Sequence, residues 1–355
     1  MAALVDRVDD FQQRHPVVAF PLAVTYKFFD DQGNYLAAII TYYAFIAIFP
    51  LLLIASSVLG LVLRGNPELR QELLSSALRQ FPIVGTQLGA PEGLQGSASA
   101  VVIGTLTAIY GVQGLGLAAQ NAANVTWAVP RNSRLNPVLS RLRSFVAMIL
   151  AGLTVLVIAT LSSAASHLSI FGEAHTGLQG LLVVTTVGLN ALVVSYLMRL
   201  STSQDERLRE VLPGGVTVAV LWQLLQWVGG VYVSRVISRA DDLNAVFALV
   251  LGLFALIYIA SVMAVIGLEV NVVLTRQLYP RALLTPFTDS VDLTEADRRA
   301  YADYAKAQRH KGFQRVRVSF SPREKYRVPE EARASPDGPR PPGDGQRDED
   351  QDAPD

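Results

Sequence analysis

A run of 32 residues from Leu243 to Leu274 contains a single charged side chain, that of Glu269. About 20 apolar residues are enough to cross the hydrocarbon core of a bilayer as a helix, and this run is longer. The run therefore predicts a membrane-spanning helix and argues against a soluble domain. A carboxylate inside such a helix is costly and usually faces the protein interior, which makes Glu269 the first candidate for a functional residue.

Five further apolar stretches have a similar length. At about 1.5 Å per helical residue, each of the six covers the hydrocarbon core. They are Leu36–Leu63, Ala98–Ala119, Phe145–Ser166, Leu178–Met198, Val211–Val233 and Asn244–Leu274. The predicted fold class is an all-α integral membrane protein, built as a six-transmembrane-helix bundle with interfacial helices and a disordered C-terminal tail.

The charged residues are concentrated outside this bundle. The last 80 residues contain 15 of the 30 basic and 15 of the 30 acidic side chains, so a membrane domain is followed by a polar segment. We predict a cytoplasmic N-terminus over residues 1–35, a membrane domain over 36–275, a polar cytoplasmic tail over 276–333, and a disordered acidic, Pro-rich end over 334–355. Two interfacial helices are predicted at Val17–Phe29 and Pro67–Phe81, and a polar helix at Thr294–Lys311 with Thr294 or Asp292 as its cap.

The distribution of Lys and Arg predicts the orientation of the bundle. Ten of these residues flank one side of the predicted spans and five the other, which places both termini in the cytoplasm. The N-terminus is charged and has no short apolar core, so no cleavable signal peptide is predicted. The chain is therefore expected to be a multi-pass protein of the bacterial cell membrane. It has no cysteine, which excludes disulfides and thiolate metal sites.

Several polar side chains are predicted at a similar depth near the cytoplasmic ends of the spans. One interpretation is hydrogen bonding between helices, worth about 0.6–2 kcal/mol per contact in membranes. The other is the wall of a polar cavity. The candidate cavity residues are Tyr42, Tyr43, Gln120, Asn124, Glu269 and Asn271.

Glu269 itself allows two interpretations. In a structural role its carboxylate is tied to Arg276, two turns further on, or to a neighbouring helix. In a functional role it binds a cation or carries a proton during transport. The sequence does not decide between these roles.

A basic cluster follows the second predicted span, with no acidic residue among its thirteen positions. It fits an inside loop attracted to anionic lipid, and binding of a phosphorylated amphiphile is the alternative. The candidate lipid contacts are Arg131, Arg134, Arg141 and Arg143. The expected partners are the bilayer and anionic lipids, and no nucleic acid is expected.

Catalytic motifs are not apparent in the sequence. The four histidines are scattered, no metal-binding His spacing is present, and there is no phosphate-binding Gly-x-x-x-x-Gly-Lys motif. We therefore expect neither an enzyme nor a cofactor.

The order of short motifs over residues 25–275 resembles the YihY/BrkB family of bacterial inner-membrane proteins. These motifs are Ala37-Ala38, Tyr42-Tyr43, Phe49-Pro50-Leu51-Leu52, Asn124–Trp127, Pro213-Gly214-Gly215, Tyr232-Val233-Ser234 and Gly267-Leu268-Glu269-Val270-Asn271. Members often carry the label ribonuclease BN, against which the lack of a metal or acid–base site argues. The resemblance implies a transporter or an envelope-integrity protein. The layer of polar side chains near the cytoplasmic ends favours a transporter of an ion or amphiphilic envelope component, and a non-transporting scaffold, in which these groups only hold the bundle together, is the alternative.

Overall fold

The computed structural model describes residues 2–62, 98–168, 175–235, 242–283, 285 and 291–320. Within these ranges the regular structure is helical. The α-helices are α1 (Ala2–Arg14), α2 (Pro16–Asp30), α3 (Gly33–Val62), α4 (Ala98–Thr126), α5 (Pro137–Leu168), α6 (His175–Ser201), α7 (Leu208–Arg235), α8 (Asp242–Thr275) and α9 (Glu295–Ala307). Residues up to Arg317 form one unit, to which all the contacts below belong.

Six of these helices, α3 to α8, coincide with the six apolar stretches identified in the sequence. By length and composition, four of them are able to cross a membrane, over Pro137–Ile158, Val184–Ser201, Leu208–Val228 and Val250–Thr275. Helix α3 contains an apolar segment, Gly33–Ile48, that is shorter than these four spans. Over the described residues the predicted all-helical membrane fold is thus confirmed, with four candidate spans supported by length and composition.

The shorter helices follow from local sequence signals. The predicted interfacial segment Val17–Phe29 lies within α2, which starts with proline at its first turn, where proline is well tolerated. Helix α9 begins after Thr294, whose side chain accepts a hydrogen bond from the backbone N–H of Asp297 in a capping box. The sequence had offered Thr294 or Asp292 as this cap, and Thr294 is confirmed. The predicted helix Pro67–Phe81 and the predicted disordered end 334–355 lie outside the described residues.

Small residues allow the long helices to approach closely. Helix α3 packs against α4 and α8, and α7 packs against α6 and α8. A Cβ atom added to Gly111 of α4 would lie 2.9 Å from the backbone of Ala47 in α3. One added to Gly214 of α7 would lie 2.0 Å from the carbonyl oxygen of Gly267 in α8. Glycine at these two positions sets the distance between the helix axes.

Replacing Gly214 with alanine is expected to lower the free energy of unfolding by about 1–3 kcal/mol, because the new methyl group meets backbone that cannot turn aside. Thermal unfolding in detergent measures the loss. Gly152→Ala is the matched control, since a Cβ at Gly152 of α5 meets nothing within 4 Å. That variant should melt at or slightly above the wild-type temperature, because alanine is the better helix former. Equal melting of Gly214→Ala and Gly152→Ala would contradict this account of the α7–α8 contact.

Candidate functional site

One end of the bundle is closed by segments from both ends of the chain. Here α2 and the segment from Arg276 to Ala307 contact the C-terminal ends of α4 and α8. We call this region the capped end. Its apolar core includes Ala23, Trp127, Val272 and Leu278, each almost completely buried.

Lys27 of α2 is the centre of the capped end and is only 2% exposed. Its ammonium contacts the carboxylate of Asp31, one turn further along the same chain segment. It also donates a 3.0 Å hydrogen bond to the carbonyl oxygen of Thr126, the last residue of α4. Its Nζ lies 5.0 Å from the centre of the Tyr304 ring in α9. A cation is favourable at a helix C-terminus, so Lys27 is suited to hold these segments together.

Glu269 is completely buried, and its Oε2 lies 3.5 Å from Nζ of Lys27. Neither of its carboxylate oxygens has a hydrogen-bond partner among the described residues. Arg276, one of the partners considered from the sequence, instead contacts Asp303 at 2.6 Å and the carbonyl oxygen of Trp127 at 2.6 Å. The ion-pair partner of Glu269 therefore comes from α2.

The buried cluster of Lys27, Asp31 and Glu269 contains more acidic than basic side chains. Asp31 and Glu269 provide two buried carboxylates, and Lys27 provides one ammonium. Burial raises the pKa of Asp31 above its ordinary value, although Lys27 acts in the opposite direction. Burial and the nearby Asp31 carboxylate also raise the pKa of the Tyr304 hydroxyl, which stays neutral. Because an unpaired buried charge is expensive, the cluster favours holding one additional proton or cation.

A second buried cluster surrounds Arg281, a residue that is completely buried. Its guanidinium donates to Asp297 at 2.6 Å and to Asp30 at 2.8 Å, and it lies 5.9 Å from the ring of Tyr26 and 5.4 Å from that of Tyr301. Burial alone would lower the pKa of Arg281, but the two carboxylates outweigh this effect and raise it. This cluster joins the end of α2 to the start of α9.

The backbone of Arg281 also connects α1 to the capped end. Its carbonyl oxygen accepts a 2.6 Å hydrogen bond from the side chain of Gln12. Asp9 accepts a 2.8 Å hydrogen bond from the backbone N–H of Leu283. Helix α1 is thus held at the capped end by the segment that follows α8.

The remaining predicted cavity residues are distributed among different helix contacts. Gln120 donates to the carbonyl oxygen of Ser140 at 2.7 Å and to the hydroxyl of Ser144 at 2.8 Å, joining α4 to α5. The side-chain oxygen of Asn124 accepts a 3.0 Å hydrogen bond from the backbone N–H of Ser203, which follows α6. The Gln120 bonds join two helices, and the Asn124 bond joins α4 to the segment that follows α6.

Asn271 and the two tyrosines have other neighbours. The side-chain oxygen of Asn271 accepts a 2.6 Å hydrogen bond from the backbone N–H of Gly214, joining α8 to α7. Tyr42 is 53% exposed, with its ring 5.1 Å from that of Tyr43, and Tyr43 lies 5.9 Å from Tyr110. The described contacts therefore divide the six residues among separate groups, and a shared cavity stays a prediction.

Comparison with known proteins agrees with this architecture. The sequence model of the family described as Virulence factor BrkB matches residues 24–289, well over half of the chain. The chain belongs to this family. The resemblance noted from the motifs is thereby confirmed, and together with the apolar helices it makes the chain a multi-pass membrane protein.

One relative of this BrkB family member is the Inner membrane protein YhjD of Escherichia coli (strain K12). It is 28% identical over 158 residues, which are 42% of this chain and 46% of the relative. The match thus spans less than half the length of that relative. No solved structure shows a significant match.

The basic cluster of this BrkB family member divides into exposed and bonded arginines, and Arg141 and Arg143 lie in the first turns of α5 and not in a loop. Arg131 and Arg141 are exposed. Arg134 donates to the side chain of Asn121 at 3.2 Å, and Arg143 donates to the carbonyl oxygen of Thr202 at 3.1 Å. Arg131 and Arg141 are thus the two with free surface for anionic lipid, a contact that stays a prediction. Among the described residues no group of three or more His, Cys, Asp or Glu has a metal-binding arrangement.

Lys27 and Arg281 were not identified as site residues from the sequence. Lys27 was counted only as a flanking positive charge, although Asp31 follows it at the helical spacing of four. That pair within an otherwise apolar helix was an available signal. Nothing local indicated the role of Arg281, because its Asp30 partner lies 251 residues away in the sequence.

We expect Glu206, between α6 and α7, to make the stability of this BrkB family member depend on pH. Burial, together with the hydrogen bond and the charge of Glu210, raises the pKa of Glu206 to about 7. The folded protein therefore binds this proton more tightly than the unfolded chain does. Its contribution is complete below the unfolded pKa and is lost as the pH rises through about 7.

We expect the melting temperature in detergent to fall between about pH 5 and about pH 8, and Glu206→Gln to remove part of that fall. Glu295→Gln, which removes an exposed carboxylate on α9, is the control and should keep the wild-type pH dependence. If Glu206→Gln and wild type show the same slope, Glu206 does not titrate in this range.

Proposed function

We propose that this chain crosses the bacterial inner membrane six times, with both termini in the cytoplasm. Four spans are supported by length and composition. Helices α3 and α4 have 30 and 29 residues, and at 1.5 Å per residue each is long enough for a hydrocarbon core of about 30 Å. The excess of Lys and Arg on one side supports the orientation, and the similarity to the Inner membrane protein YhjD supports the inner membrane.

We further propose that the protein is a non-transporting scaffold that contributes to envelope integrity. The observation that carries this proposal is the completely buried Glu269, paired with Lys27 of α2 at 3.5 Å. A carboxylate buried in this way holds α2 on the bundle. Gln120, Asn124 and Asn271 support the same role, since each makes a hydrogen bond that joins two segments.

The second candidate is a transporter of an ion or an amphiphilic envelope component. The charge imbalance of the Lys27 cluster favours it, because two buried carboxylates share one ammonium. A site that favours one more proton or cation is the kind of group that couples transport to ion binding. In this alternative, the closed capped end is one of two conformations.

Reconstitution into liposomes distinguishes the two candidates. The probes are protons, detected by a pH-sensitive dye inside the vesicles, and a fluorescent phosphatidylglycerol analogue, detected by its transfer between leaflets. The scaffold predicts no flux of either probe above empty vesicles for wild type and for Glu269→Gln. Flux in wild type that falls in Glu269→Gln, but not in the surface control Glu295→Gln, would favour the transporter and end the scaffold proposal.

A cellular experiment tests the scaffold directly. Cells lacking the protein should take up more of a dye that an intact envelope excludes, and the wild-type chain should restore exclusion. Glu269→Gln should restore exclusion in proportion to the amount of folded protein in the membrane. Full expression of folded Glu269→Gln without restoration would show that the carboxylate has a function beyond assembly.

We also propose that the protein is not an enzyme, and in particular not a ribonuclease. The support is the absence of a metal-binding or acid–base motif in the sequence. Purified protein incubated with RNA and Mg²⁺, Mn²⁺ or Zn²⁺ should leave the RNA intact. Metal-dependent cleavage that copurifies with the chain would contradict this.

A further inference from the structure

A basic cleft lies beside the C-terminal end of α9. Its volume is about 410 Å³, and four cationic side chains line it together with Gln314 and the backbone region of Pro130. The cations are Lys306, Arg309, Arg315 and Arg317. Among the described residues that line it, none is acidic.

A neighbouring cleft differs from the basic cleft because an acidic residue lines it. It has a volume of about 490 Å³ and is lined by Arg276, Arg298, Arg299 and Lys306, but also by Asp303. There Arg276 is paired with Asp303, Arg298 with Glu295, and Arg299 donates to a backbone carbonyl. Two of its cations are thus paired with carboxylates, and Lys306 lines both clefts. Among the described residues, the four cations of the basic cleft form no ion pair.

The basic cleft has a defined shape because hydrogen bonds fix its walls. The backbone N–H of Asn132 donates to the carbonyl oxygen of Arg309 at 3.2 Å, and Nε of Arg309 donates to the side chain of Asn132 at 3.0 Å. The side chain of Gln314 accepts a 2.9 Å hydrogen bond from the backbone N–H of His310. These bonds leave the terminal nitrogens of the Arg309 guanidinium available.

We propose that the basic cleft binds the phosphate group of an anionic ligand. Guanidinium groups present two parallel N–H donors that match phosphate oxygens, and a Lys ammonium adds a point charge. Ligand sites usually measure about 300–1,000 Å³, so the cleft has room for a ligand with more than one phosphate. Two sources share this chemistry: the headgroup of an anionic lipid and a soluble phosphorylated compound.

The position of the cleft brings both sources within reach. Asn132 belongs to the short helix Arg131–Ser133. Helix α5 begins at Pro137, where the candidate span Pro137–Ile158 also begins. The cleft is therefore held beside a segment that enters the membrane. Its residues differ from Arg131, Arg134, Arg141 and Arg143, the lipid contacts predicted from the sequence.

The test compares two triple variants of the full chain in neutral detergent. Lys306→Gln/Arg315→Gln/Arg317→Gln removes three exposed cations of the cleft and keeps Arg309, whose bonds fix its wall. Arg7→Gln/Arg14→Gln/Arg298→Gln removes three exposed cations elsewhere. Calorimetry measures pyrophosphate binding, and native mass spectrometry measures bound cardiolipin against phosphatidylcholine. Melting temperatures verify that both variants are folded.

We expect the cleft variant to bind at least tenfold more weakly than wild type, and the control variant to bind within twofold of wild type. Weakening confined to cardiolipin assigns the site to a lipid headgroup, and weakening confined to pyrophosphate assigns it to a soluble ligand. Raising the salt concentration should weaken wild-type binding and have a smaller effect on the cleft variant. If the cleft variant and the control bind both probes equally, the proposal is wrong.

Discussion

Replacing Lys27 with methionine is expected to lower the free energy of unfolding by about 3–5 kcal/mol, the loss typical of removing one partner from a buried ion pair. The variant keeps the apolar stem but leaves Asp31 and Glu269 without their shared ammonium. It also removes the hydrogen bond to the carbonyl oxygen of Thr126. Thermal and denaturant unfolding in detergent should show the loss.

Two further variants separate this effect from a general effect of losing a lysine. Lys311→Met removes an exposed ammonium and should stay within about 0.5 kcal/mol of wild type. The double variant Lys27→Met/Glu269→Gln removes the charge of the second partner as well and should recover part of the stability, with a coupling energy of about 0.5–3 kcal/mol. A Lys27→Met protein as stable as wild type would mean that the capped end is not held by this contact.

Arg281→Met is expected to have an effect of similar size, about 3–5 kcal/mol, because it leaves Asp30 and Asp297 without their cation. Asp297 is the more sensitive of the two, since it also accepts from the backbone N–H of Ala282 and caps α9. We expect α9 to loosen before the membrane helices melt. Limited proteolysis, followed by mass spectrometry of the cleavage sites, measures this.

Arg281→Lys tests the geometry independently of the charge. A lysine keeps the positive charge but lacks the planar fork that reaches both carboxylates, so an intermediate loss is expected. Arg298→Met is the matched control, because Arg298 forms a surface ion pair with Glu295 and is 51% exposed. If Arg281→Met and Arg298→Met are equally resistant to protease, the Arg281 cluster does not hold the C-terminal segment.

The helical part of this fold was readily predicted because its causes are local. Long apolar runs identify α3 to α8, and Thr294 with Asp297 three residues later identifies the start of α9. Glu269 was also found, since a carboxylate in a 32-residue apolar run has no ordinary explanation. In each case the residue and its immediate neighbours contain the signal.

The arrangement around Glu269 was not predictable in the same way. Its partner Lys27 and the Arg281–Asp30 pair join opposite ends of the sequence, and periodicity within a helix gives no information about such contacts. Tyr42 illustrates a related difficulty: depth along a helix was inferred from topology, but the direction of the side chain, here 53% exposed, depends on how the helices pack.

The closing of the capped end by α2 and by residues that follow it much later in the sequence has a consequence for biosynthesis. Lys27 leaves the ribosome early, whereas Glu269 and Arg281 emerge only after nearly the whole membrane domain. During translation, the contacts that hold α2 on the bundle therefore cannot form until the last span has been inserted. In chains truncated before Glu269, α2 should be accessible to protease, and cellular quality control should degrade these chains. Stable docking of the first helices therefore depends on completion of the last span.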